Sequence, residues 1–124
     1  MTLSLIHICA TTLQPVTIYH AQPFWNQTQL RERVEPELFV NVTEVEEKKV
    51  AALACHASQK LWLDESQGHD SYLKTLRDLD EEVGRMSGLF RCAEGWRRHL
   101  HLGFCDEQDD PLRDALRSRT LPAS

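Results

Sequence analysis

No apolar run in this 124-residue chain approaches the roughly 20 residues that a membrane-crossing helix needs. The composition predicts a partner other than a bilayer. Positive charge is also short, with 14 Lys and Arg against 19 Asp and Glu and a formal net charge of −5, so nucleic acid is excluded as the main partner. The Arg97-Arg98 pair is too little to change that. Cys-x-x-Cys spacing is missing, and the four cysteines, Cys9, Cys55, Cys92 and Cys105, argue for reduced thiols in a cytoplasmic protein rather than a disulfide scaffold. No Lys or Arg precedes the apolar opening run, which argues against a secretory signal and removes the weight of the glycosylation triplets at Asn26 and Asn41. No internal repeat is visible. With 41% hydrophobic and 27% charged residues, the chain reads as one globular domain able to bury roughly two-thirds of its unfolded surface.

Residues 1–10 contain Leu-Ser-Leu-Ile-His-Ile, which reads as a translated sequencing-library adapter, so this leader is set aside as non-native; a short buried strand is the alternative. Residues 11–110 carry the domain and 111–124 form a polar tail, helical over a short stretch or disordered. Val16 to His20 is β-branched and aromatic, stops at Pro23, and predicts a short strand with His20 and Gln22 at its exit. Ligands gather outside the carboxyl ends of parallel strands, so His20 and Gln22 become pocket-edge candidates if the neighbouring strands run parallel. Leu38 to Val42 predicts a second strand.

From Thr43 the pattern turns helical. Thr43 and Glu46 have capping-box spacing. At about 100° per residue, Val45, Lys49, Ala52, His56, Gln59 and Leu63 share a stripe, and Val50, Leu53, Ala54, Ala57 and Leu61 make an adjoining apolar one. Lys49, His56 and Gln59 could border a polar cavity; a half-exposed flank is the alternative. A second helix is predicted from Tyr72, Leu76, Leu79, Val83 and Met86, with Asp70 capping its start and Gly88 closing its end. Lys74, Arg77, Asp78, Asp80, Glu81 and Glu82 are assigned to its solvated face. Leu100-His101-Leu102 alternates like a short strand.

The segment Lys49-Val-Ala-Ala-Leu-Ala-Cys-His56-Ala-Ser-Gln59 resembles the Lys-x-x-Ala-Leu-x-x-His-x-Ser-Gln helix of the PIG-L (LmbE-like) deacetylase family. Val16 to Pro23 and Pro36 to Thr43 are similar to the two strand segments before that helix. Tyr72-Leu73, Glu82 to Arg85 and Ala93 to Arg98 are similar to the family's closing region, so the resemblance runs from about Pro15 to Cys105. It implies an α/β fold, the C-terminal fragment of a Rossmann-like open sheet with short strands and two main helices. It also implies a zinc-dependent hydrolase that removes an N-acetyl group from an amino sugar or related acetamide, metal-bound water attacking while a carboxylate acts as base. The family's Ala-His-Pro-Asp-Asp-Glu-like and His-Pro-Asp-His-like motifs are missing, since the chain contains no His-Pro dipeptide. No catalytic residue or metal ligand is therefore assigned. The expected contribution is a pocket wall from His20, Gln22, Lys49, His56 and Gln59. Asn41 stands where many members of the family have Asp.

Two other readings remain open. One is a non-catalytic α/β interaction domain. The other is a small structural-zinc module built on Cys92, His99, His101 and Cys105, which have the right ligand types at a spacing that matches no common zinc pattern.

Overall fold

The strand expected over Val16 to His20 forms only at its end, as β1 (Tyr19–Ala21), and Leu38 to Val42 supplies β2 (Leu38–Asn41), yet the two do not pair with each other. Between them lies β3 (Ala93–Arg98), and β4 (Thr120–Pro122) joins the other edge of β2. The computed structural model describes residues 15–68, 71–101 and 104–123, apart from the side chains of Ala57, Gln59, Lys60, Leu63 and Gln67. The leader at 1–10, the Asp70 cap and Leu102 lie outside the described residues.

The chain is mixed α/β with a small, open, four-stranded sheet in the order β1-β3-β2-β4. Among the described residues every pairing is antiparallel, with Tyr19 opposite Arg98, Leu38 opposite Trp96 and Phe39 opposite Leu121. The condition on which His20 and Gln22 were pocket-edge candidates, neighbouring strands running parallel, is therefore not met. The reason is visible at Thr43, whose Oγ1 donates to the Cys92 carbonyl at 3.3 Å and accepts from the Cys92 N–H at 3.2 Å. After its helical excursion the chain returns to the end of the sheet it left, and from there it can enter only antiparallel.

That excursion contains three helices, α1 (Glu46–Ala54), α2 (Ala57–Gln67) and α3 (Ser71–Ser87). The single long helix expected over Thr43 to Leu63 is broken at Cys55 and His56, whose N–H groups bond to the Ala52 and Leu53 carbonyls in tight i to i+3 fashion. His56 has φ −79° and ψ 69°, outside the helical region. No Gly or Pro marks the break. Both pieces pack against α3, so the interruption serves tertiary packing rather than local propensity. The capping box is also absent: Thr43 holds Cys92 instead, and a 3-10 turn over Thr43–Val45 leads into α1. Asn41 acts there, its Oδ1 accepting from the Thr43 N–H at 3.1 Å.

The spacing-based expectation for α3 holds. Gly88, at φ +70°, follows its last turn and donates its N–H to the Arg85 carbonyl. One sheet face packs Phe39 and Ala93 against Val83 and Met86 of α3, with Leu121 beside them. The opposite face packs Val40, Val42, Cys92 and Trp96 against Leu112 and Leu116 of α4 (Pro111–Leu116). The segment beyond Asp110 thus supplies both a cover for one face and an edge strand. Tyr19 ties it down, donating from its hydroxyl to Asp110 Oδ1 at 2.5 Å and accepting the Leu112 N–H at 3.0 Å. The strand expected at Leu100 to Leu102 is displaced: β3 ends at Arg98, and His99, Leu100 and His101 lie beyond it.

Candidate functional site

Where the chain leaves β1, Gln22 and Pro36 press against the backbone of Gly95. A Cβ there would stand 2.4 Å from Pro36 Cγ and 2.9 Å from Gln22 Cγ, so only glycine lets Gln22 settle in this position. Gln22 Nε2 then donates to the Val34 carbonyl at 2.9 Å and to Asn26 Oδ1 at 3.3 Å. Its Oε1 is buried and has no partner among the described residues. Asn26 is itself 2% exposed and passes the chain of bonds on, Nδ2 donating to Glu82 Oε2 at 3.0 Å. Trp25 and Asn26 take φ values of 62° and 54°, a left-handed bend that Asn tolerates and Trp does not favour. The bend leaves Phe24 and Trp25 exposed, edge to face at 5.1 Å.

Beside this turn lies a cavity of about 350 Å³, bordered by Gln22, Phe24, Lys49 of α1, Asp80 of α3 and Glu94 of β3. Lys49 joins the three elements, its Nζ lying 2.5 Å from Asp80 Oδ2 and 2.8 Å from Glu94 Oε1. Burial works against the Lys49 charge, but the bonds and charges of Asp80 and Glu94 outweigh it and hold the ammonium above its ordinary range. Asp80, 6% exposed, is raised because burial exceeds the opposing pull of Lys49. Behind it sits Glu46, 4% exposed. As a carboxylate, neither Glu46 oxygen has a hydrogen-bond partner among the described residues. As an acid it donates to Asp80, and burial first, then the Asp80 charge, pushes its pKa up to about 7. The group can therefore hold one ammonium and one shared proton.

Among the residues named from the sequence, the structure brings Gln22 and Lys49 together at this cavity. His20 is exposed and elsewhere, its Nε2 at 2.7 Å from His99 Nδ1, one ring donating and the other accepting. His56 is exposed at the helix break, which turns it out of the stripe it was to share with Lys49. The Gln59 side chain lies outside the described residues. Sequence reading missed Glu46, Asp80 and Glu94. Asp80 was assigned to the solvated face, although the spacing 72, 76, 80, 83 puts it on the apolar stripe; Glu46 likewise shares a stripe with buried Val50. An acid in register with core residues was the available signal.

The four-residue zinc reading does not converge. Cys92 and His99 stand at opposite ends of β3, about 20 Å apart at strand rise, and Cys92 is 2% exposed inside the core. Burial first, then nearby acids, raises its thiol pKa, which leaves it inert. Among the described residues, no three His, Cys, Asp or Glu side chains are placed to hold a metal ion. None of the described helices is long and apolar enough to cross a membrane. A second, more open cleft lies around Arg113, Asp114 and Arg117, lined by exposed polar chains. No family model matches the chain, and no curated protein or solved structure shows significant similarity to it.

Proposed function

We propose that this chain forms the C-terminal part of a PIG-L-like, metal-dependent N-acetyl hydrolase and supplies one wall of the pocket for a small acetylated amino sugar or related acetamide. One observation supports this above the others: Gln22 and Lys49, from two separate segments that resemble the family, border a single cavity. The metal ligands and general base would come from outside the described residues, and no chemical step is assigned to this chain's own side chains. In that reading the four antiparallel strands continue a larger Rossmann-like sheet, and the reduced thiols Cys55, Cys92 and Cys105 fit a cytoplasmic setting.

The test is to extend the reading frame upstream at its genomic locus and assay the longer protein for acetate release from N-acetylglucosamine and simpler acetamides. The expected result is an in-frame His-Pro-Asp-Asp-Glu motif and activity whose KM rises when Gln22→Leu or Lys49→Met is introduced, while His56→Ala changes little. A longer frame without that motif, or without acetate release, would sink the hydrolase reading. The reading then left is the non-catalytic α/β interaction domain, which the exposure of Leu61 and Trp62 on α2, 63% and 62%, would favour.

A further inference from the structure

We infer that the cavity beside Gln22, Lys49 and Glu94 binds a small organic cation, a primary ammonium carried on a ring-sized body, in preference to a neutral amide. This goes beyond the proposed function, in which such an ammonium is the deacetylated product rather than the acetylated substrate, and rests on it only for the identity of the ring. The first argument is a balance of donors and acceptors. Of the three N–H groups on Lys49 Nζ, Asp80 Oδ2 and Glu94 Oε1 occupy two, which leaves one for a ligand. Against that single donor stand Glu94 Oε2, which accepts nothing among the described residues, and Gln22 Oε1, which has no partner among them but is shut off from solvent and becomes available only when its side chain turns. A buried acceptor left empty is unfavourable, so the ligand that fits best brings donors.

Charge narrows the class further. Two carboxylates, Asp80 and Glu94, face one ammonium, and Glu46 adds no charge while it holds its proton against Asp80. The cavity is therefore net negative and repels anions. A neutral acetamide carbonyl would meet only the one spare Lys49 N–H. An ammonium can bond the free Glu94 oxygen directly and Gln22 Oε1 once that side chain turns, and its attraction to the carboxylates is strengthened by partial burial.

Shape supplies the body of the ligand. Leu76 and Val83 of α3 give the cavity an apolar side, and Phe24 borders it while remaining 70% exposed. Trp25 braces Phe24 edge-on from a backbone conformation that is unfavourable for Trp. An aromatic face beside a negative cavity attracts both an organic cation and the C–H groups of a ring. A volume of about 350 Å³ accommodates a six-membered ring with its substituents.

The experiment is a titration of the uniformly ¹⁵N-labelled chain, followed by amide shifts, with cyclohexylammonium, cyclohexanol, glucosamine and N-acetylglucosamine. The expected result is that the two amines shift Gln22, Gly95 and the amides of residues 76–83, with dissociation constants about ten-fold below those of their neutral counterparts. Gln22→Leu and Glu94→Gln should each weaken amine binding by about ten-fold while leaving the rest of the spectrum in place. Equal affinity for the neutral compounds, no shifts at these residues, or full amine affinity in both variants would overturn the inference. Binding of cyclohexylammonium without glucosamine would uphold the ammonium site and remove the sugar from the proposed function. A preference for N-acetylglucosamine over glucosamine would overturn the ammonium site and leave the hydrolase reading standing.

Discussion

Replacing Glu46 by glutamine should stabilise the protein at alkaline pH and do little at acid pH. In the folded chain Glu46 titrates at about 7 against an ordinary 4.5, because burial and then the Asp80 charge disfavour the carboxylate. A raised acid is fully compatible with the fold below pH 4.5, where both folded and unfolded chains carry the proton. Between about pH 4.5 and 7 the unfolded chain releases the proton while the folded chain still holds it, so stability falls as pH rises through that window. The gap corresponds to about 3 kcal/mol once pH exceeds 8. A glutamine amide keeps the shape and can donate to Asp80 as the acid does, without titrating. Urea unfolding of Glu46→Gln and the parent, followed by fluorescence of Trp25, Trp62 and Trp96, would compare the two at pH 4.5 and pH 8. The expected difference is under about 1 kcal/mol at the lower pH and about 3 kcal/mol in favour of the variant at the higher. Comparing the two chains cancels the other titrating groups, apart from Asp80, whose own titration responds to the loss of the Glu46 carboxyl. If Glu46→Gln is no more stable than the parent at pH 8, Glu46 is ionised in the fold and the paired-acid argument fails.

Lys49→Met removes both ion pairs and leaves Asp80 without its cation, which should cost about 3 kcal/mol at pH 7 by denaturant unfolding; a loss under about 0.5 kcal/mol would mark the pairs as equivalent to surface ones. Gly84→Ala should destabilise by about 2 kcal/mol in thermal melts, because its Cβ would stand 2.3 Å from the Arg91 carbonyl oxygen and outweigh the gain in helix propensity. Tyr19→Phe removes a hydroxyl that bonds both Asp110 and Leu112, so a loss of about 1–2 kcal/mol is expected. Hydrogen exchange should then quicken over 110–116 and remain unchanged over 76–83.

Some of this was readable from the chain alone. Tyr72, Leu76, Leu79 and Val83 announce α3 because four residues at helical spacing can share a core only in that conformation, and Gly88 marks its end because its φ of +70° suits glycine. Leu38 to Val42 likewise carries its own strand signal, whereas of the strand expected over Val16 to His20 only Tyr19 and His20 enter β1. β3 carries none: Ala-Glu-Gly-Trp-Arg-Arg has little β propensity, and it is extended because β1 and β2 both pair with it. The break at His56 has no local breaker residue and arises from packing against α3. At the cavity, Gln22 and Lys49 are reached by resemblance and position, whereas Asp80 is hidden by its assignment to the solvated face and Glu46 by its capping-box spacing from Thr43. Their burial becomes reasonable only once Lys49 is seen to reach between them and Glu94.

The placement of β2 also governs how the chain can be made. Leu38–Asn41 is synthesised well before its hydrogen-bonding partners, which are residues 93–96 on one side and Thr120–Pro122 on the other. At about 5–20 residues per second the ribosome takes several seconds to supply them. During that interval Leu38, Phe39 and Val40, all deeply buried in the finished fold, have no strand beside them. The helices between can form as they emerge, since their bonds are local, but the sheet has to wait. Nascent chains stalled just after residue 90 has cleared the exit tunnel should therefore be helical and still bind chaperones through the Leu38–Asn41 segment, and release should begin when residues 93–98 emerge and be complete after residues 120–122.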